Sequence, residues 1–131
     1  MADKKKAAAE IWLNKPESHD FGAARDYLSL LFDAKTVAKL VARLRQAPLR
    51  PYKAKDILRA SGLAVLDKDN FFVARDLHKV RKGHPLSPVL LVRGDAERGF
   101  PLIIADGYHR VCASWYVDED AEIPCRVAPR T

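Results

Sequence analysis

Apolar positions recur along the chain first with a helical period and then as short continuous blocks, and this change separates two groups of elements. Phe21, Ala24, Leu28 and Leu31 fall on one face and predict a helix from Asp20 to Phe32. Asp33 stands in a capping position before a second helix, Ala34 to Gln46, in which Val37, Leu40, Val41 and Leu44 give the i, i+3, i+4, i+7 pattern. Pro48 and Pro51 stop that helix and stiffen the connection after it. A short helical turn follows from Lys53 to Ala60, ended by Ser61-Gly62, and Leu63 to Leu66 reads as a short strand. Asn70 caps a longer helix, Phe71 to Lys82, with Val73, Leu77 and Val80 on one face and Gly83 closing it. Beyond His84-Pro85 the apolar residues run together. Pro88 to Arg93 and Phe100 to Ala105, joined by the glycine-bounded loop Gly94 to Gly99, predict a long hairpin. A helix from Tyr108 to Val117 buries Val111, Cys112 and Trp115, and a last strand runs from Ile123 to Ala128. Residues 1–18 carry alanines and the breakers Asn14, Pro16 and Ser18, and predict a loose arm.

Composition narrows the class. With 131 residues, 48% apolar and 31% charged, the chain fits a soluble globular domain able to bury a core without staples. No run approaches the roughly 20 apolar residues of a membrane span, and the basic start leads into no signal-peptide core. Cys112 and Cys125 sit in regular elements and suggest no disulfide framework, so a cytoplasmic, reduced protein without membrane partners is expected.

Charge is distributed unevenly. Residues 35–59 hold Lys35, Lys39, Arg43, Arg45, Arg50, Lys53, Lys55 and Arg59 against Asp56 alone, an excess larger than the whole chain's net +6. Lys35, Lys39 and Arg43 form a stripe at steps of four, and Lys55 with Arg59 shares a face of the next helix. A nucleic-acid or protein interaction module would use these residues, with phosphate contacts dominating if nucleic acid binds. A solvated helix face explains Lys35, Lys39 and Arg43 more simply, and the link between the two helices is longer than in a helix-turn-helix. His19, His78 and His84 are scattered, and His109 with Cys112 makes only an i, i+3 pair, so no metal site is expected.

The candidate chemistry lies in Asp106-Gly107-Tyr108-His109-Arg110, between the second hairpin strand and the helix that follows. This loop puts backbone N–H groups, an imidazole and a guanidinium at a helix N-terminus, a combination suited to phosphate. Glycine allows close backbone approach, and arginine is a fixed donor fork. On residue types alone, an ordinary strand-to-helix turn with His109 and Arg110 tied to local carbonyls fits slightly better.

The order of elements adds to this. A helix ending in Lys79-Val80-Arg81-Lys82-Gly83 leads to the strand Pro88-Val89-Leu90-Leu91-Val92. Leu102-Ile103-Ile104 then enters the loop, a helix with Cys112-Ala113-Ser114 follows, and Ile123-Pro124-Cys125-Arg126-Val127 closes the set. Over residues of about 70 to 128 this resembles the ParB/sulfiredoxin-like superfamily. The resemblance implies an α+β fold, a small mixed β-sheet with packed helices, here preceded by an N-terminal helical pair. It divides the chain into an arm at 1–18, a helical extension with the basic stretch at 19–62 and the ParB/sulfiredoxin-like domain at 63–131. It also implies that Gly107, Tyr108, His109 and Arg110 hold the phosphates of a nucleotide or another phosphorylated small molecule, with Asp106 beside them. Tyr108 stands where sulfiredoxins carry their catalytic cysteine, which argues against thiol chemistry. Their upstream Lys and Ser are also missing, and only Arg75 could stand in. Cys112, one turn farther on, reads as a core cysteine. Similarity to the free-serine kinases of the superfamily implies a phosphotransferase or nucleotidase using ATP, ADP or CTP with Mg. Asp106, His109 and an upstream carboxylate, Asp56 before Asp69, would then be the catalytic candidates.

Overall fold

The computed structural model describes residues 10–131, which hold five α-helices and four strands. In chain order these are α1 (Ser18–Leu28), α2 (Ala34–Gln46), β1 (Leu49–Lys53), α3 (Ala54–Ser61), α4 (Phe71–Arg81), β2 (Val89–Val92), β3 (Ile103–Asp106), α5 (Tyr108–Val117) and β4 (Glu122–Ala128), with a short 3-10 turn at Ala96–Arg98. The strands form one mixed sheet in the order β1-β4-β2-β3. β4 runs parallel to β2, while β1 with β4 and β2 with β3 are antiparallel. The α+β class read from the sequence is the one observed.

Every residue of β2 is buried, because the strand has helices on both sides. Leu90 and Val92 face α1 and α2 and pack with Phe21, Ala24, Leu28, Leu40 and Leu44. Val89 and Leu91 face the opposite layer and pack with Ile57, Val73, Val111 and Cys112 from α3, α4 and α5. The continuous apolar run seen in the sequence is thus two alternating sets, one for each core.

Four expectations need correction. Leu49–Lys53, which the prolines mark as a connection, is strand β1, paired with β4 from Leu49↔Arg126 to Lys53↔Glu122. A proline is tolerated there because β1 is an edge strand and needs no N–H on its outer side. Conversely, Leu63 to Leu66 forms no strand. Its carbonyls are taken by side chains, Ala64 O accepting from the Tyr108 hydroxyl at 2.5 Å and Leu66 O from that of Tyr116 at 2.8 Å. Helix α1 ends at Leu28, not Phe32, and Leu31 is exposed. Of the arm expected at 1–18, residues 1–9 lie outside the described residues, whereas residues 10–17 are tied down. Leu13 N donates to Leu86 O and Leu86 N to Ile11 O, both at 2.8 Å, and Trp12 packs on the core.

β1 also joins the segment 19–62 to the sheet of segment 63–131 through backbone hydrogen bonds. Among the described residues no helix is long and apolar enough to cross a membrane.

Candidate functional site

β3 and α5 meet at Gly107, whose φ of +112° is open to glycine and strained for other residues. A Cβ at this position would lie 2.8 Å from Arg110 Nη2 and 2.9 Å from Val89 Cγ2. The strand before it contains a bulge. Pairing steps from Leu91↔Ile104 to Leu90↔Asp106, so Ala105 is the extra residue and Asp106 turns to the side of Leu90, where α1 packs.

The helix that starts here is open at its N-terminus. Asp33 and Asn70 cap α2 and α4 with side-chain oxygens, and α1 has a capping box between Glu17 and Asp20. The first N–H groups of α3 donate to Ala121 O and Glu119 O. Gly107 offers α5 no side-chain cap, and the first bond of the helix is Val111 N to Gly107 O at 3.0 Å. The N–H groups of Tyr108, His109 and Arg110 therefore stay available to an anion.

They border a polar cleft of about 310 Å³. One wall is the start of α1, with Glu17, His19 and Asp20; another is α4, with Phe72, Arg75, Asp76 and Lys79. Leu86 and Ser87 close one side, and Asp106, Gly107, His109 and Arg110 complete it. Arg110 Nη2 donates to Asp106 at 3.0 Å and to Pro88 O at 3.4 Å, while its buried Nε has no partner among the described residues. Phe72 lies 5.0 Å from the His109 ring, and the Arg75 guanidinium sits 4.9 Å above Phe72. These contacts gather His109, Arg75, Lys79 and Arg110 around one space.

Carboxylates face them. Burial raises the pKa of Asp106, although the charge and hydrogen bond of Arg110 oppose it and the neighbouring Asp20 adds to it. Burial also raises Asp76, against the pull of Arg110, Lys79, Arg75 and His109. Asp20 is 3% exposed and accepts from Glu17 N at 3.1 Å, with His19 3.4 Å away.

Not every expected site residue meets here. Asp106, Gly107, His109 and Arg110 come together. Tyr108 turns away, its hydroxyl on Ala64 O and its ring against the α3–α5 core. Asp56 lies elsewhere, paired with Arg59 at 3.6 Å in a largely apolar groove of about 410 Å³ with Tyr52, Phe100 and Leu102, which shares no lining residue with the cleft. Cys112 is fully buried in the core, as its helical position suggests. Within the basic stretch, Lys35 and Lys39 are exposed, but other charges are engaged. Arg43 donates to Pro129 O and Arg130 O, and Lys55 and Lys53 pair with Asp120 at 2.8 and 3.7 Å.

The residues missing from the sequence reading are Asp76, Lys79 and Phe72 on α4 and the start of α1. A signal existed for Asp76. It sits three residues after Val73 and four before Val80, so a carboxylate occupies the buried stripe of its helix. No family model, curated protein or solved structure matches the chain. The site stands on its own geometry.

Proposed function

We propose that this chain binds a nucleotide or another phosphate-bearing small molecule in the cleft at the start of α5. The observation that carries this reading is the uncapped N-terminus at Gly107, opening on the space shared by His109, Arg110, Arg75 and Lys79. Open N–H groups and the helix dipole favour an anion there, and arginine supplies directed donors. The exposed face of Phe72 at the rim offers a stacking surface for a base. The resemblance of residues 70–128 to the ParB/sulfiredoxin-like superfamily supports the same ligand class at the same loop.

A magnesium ion would enter with the phosphates. Among the described residues no group of three or more His, Cys, Asp or Glu side chains is placed to hold a metal, and this ion commonly takes most of its contacts from phosphate and water. Binding suits the geometry better than turnover. Asp106, the candidate base, is bonded to Arg110 and orients it, and Asp56 is not at the site.

Melting the full chain with millimolar ATP, ADP, CTP or pyrophosphate, with and without magnesium, tests the proposal. At least one should raise the melting temperature through binding to the folded state. His109→Ala should remove the shift without unfolding the protein, since among the described residues the His109 side chain makes no hydrogen bond. A flat response across the panel would sink the reading.

A further inference from the structure

The phosphate reading leaves one buried acid of the cleft without a role. Asp76 is 4% exposed and lines the cleft from α4. Arg75, Lys79, His109 and Arg110 act on it through charge, yet among the described residues none gives it a hydrogen bond or an ion pair. Across the cleft stand Glu17, Asp20 and Asp106, which as carboxylates have no proton to offer when ionised. The Asp76 carboxylate oxygens are not fully enclosed: they open on the cleft, where no protein donor among the described residues reaches them and a ligand donor can. The four cationic or cation-forming groups around Asp76 supply charge, but among the described residues none stands within bonding distance, so its oxygens are open to a donor carried by the ligand. A hydroxyl group meets that need.

We infer that the ligand of the cleft is a hydroxylated phosphate ester, its phosphate at the Gly107–Arg110 loop and a hydroxyl donating to Asp76. This rests on the phosphate reading and narrows it. It places recognition on two elements: α5 takes the anion, and α4 reads the carbon chain attached to it. A site built to accept from a hydroxyl rejects the analogue that lacks one, because the acceptor is then left bare.

The test compares glycerol 3-phosphate with propyl phosphate, which share the phosphate and differ in hydroxyls, by calorimetry on the full chain in chelator. Glycerol 3-phosphate should bind tighter by about ten-fold or more, the usual consequence of a hydrogen bond to a charged acceptor. Asp76→Ala should lower glycerol 3-phosphate to the affinity of propyl phosphate, and Asp76→Asn, which keeps an acceptor oxygen but loses the charge, should lower it part of the way, with circular dichroism verifying the fold. Equal binding of both esters, abolished by His109→Ala, overturns the hydroxyl contact while leaving the phosphate site standing. Selectivity that survives both Asp76 variants overturns the assignment to Asp76. Selectivity that appears only when magnesium is added makes a metal ion the partner of Asp76 and overturns the inference as well. If neither ester binds, the inference is overturned, and the phosphate reading falls with it only if the nucleotides and pyrophosphate also give no response.

Discussion

Asp76 and Gly107 show how single residues are held at odds with the fold for the sake of the cleft. Burial lifts the folded-state pKa of Asp76 above its ordinary value. The folded chain thus binds this proton more tightly than the unfolded chain, and the cost of ionising Asp76 appears as pH rises from the ordinary carboxyl range through the raised value. Above the raised value that cost is fully present. Asp76→Asn should therefore raise stability at pH 7, by up to about 1 kcal/mol for a carboxylate that still opens on the cleft, and the gain should shrink as the pH is lowered toward 4. Thermal melts of both proteins across that range check this, and a loss of stability at pH 7 would contradict it. Asp106 and Glu10 are shifted in the same direction by burial, so they add to the same trend in the wild-type chain. Gly107 carries the opposite kind of constraint. Gly107→Ala must hold a side chain at φ +112° and press its Cβ on Val89 and Arg110, at a cost of about 1–3 kcal/mol. A lower melting temperature with a weakened phosphate response is expected; an unchanged response would show that the backbone approach at Gly107 is dispensable.

At the scale of elements, what could be read in advance follows from what each element buries. α2 and α4 were legible because their apolar stripes have the helical period and their caps are side chains. Asp33 accepts from Thr36 N at 2.8 Å, and Asn70 from Phe72 N and Val73 N at 3.0 and 3.2 Å. β1 was hidden for the converse reason. From Arg50 to Lys53 all its side chains are exposed, so it joins the sheet through its backbone and carries no alternation to read. The bulge at Ala105 was equally hidden, and with it the turn of Asp106 toward α1, since register depends on the partner strand. The loop of the site was readable from local residue types, but its opposite walls arrive from distant parts of the chain. Capping connects these elements to the site. Asn70→Ala removes the acceptor for two N–H groups at the start of α4 and should cost about 1 kcal/mol. It also frees the turn that holds Phe72 beside His109. Denaturant unfolding should show the stability loss, and the His109 ring resonances should shift in an NMR spectrum; a stability change without that shift would separate the cap from the cleft.

For the molecule as a whole, the sheet makes the two halves of the chain interdependent. The cleft needs α1 for one wall, α4 for another and the β3–α5 loop between them. Residues 63–131 alone would keep the loop and lose much around it. Without α1 and α2, the sheet face formed by Leu90, Val92, Ala105 and Ala128 has no cover. Without β1 and α3, the other core loses Ala54, Ile57 and Leu58, and β4 loses the strand paired to it from Glu122 to Arg126. A short chain with one sheet face bare buries too small a fraction of its apolar surface to offset the entropy of ordering it. Residues 63–131 should therefore fail to give a cooperative melt or a dispersed amide spectrum, and residues 10–131 should give both. If the shorter chain does fold and still answers phosphate, then α1 and α2 act as a cover for the sheet, and the cleft must draw its specificity from α4 and α5 alone.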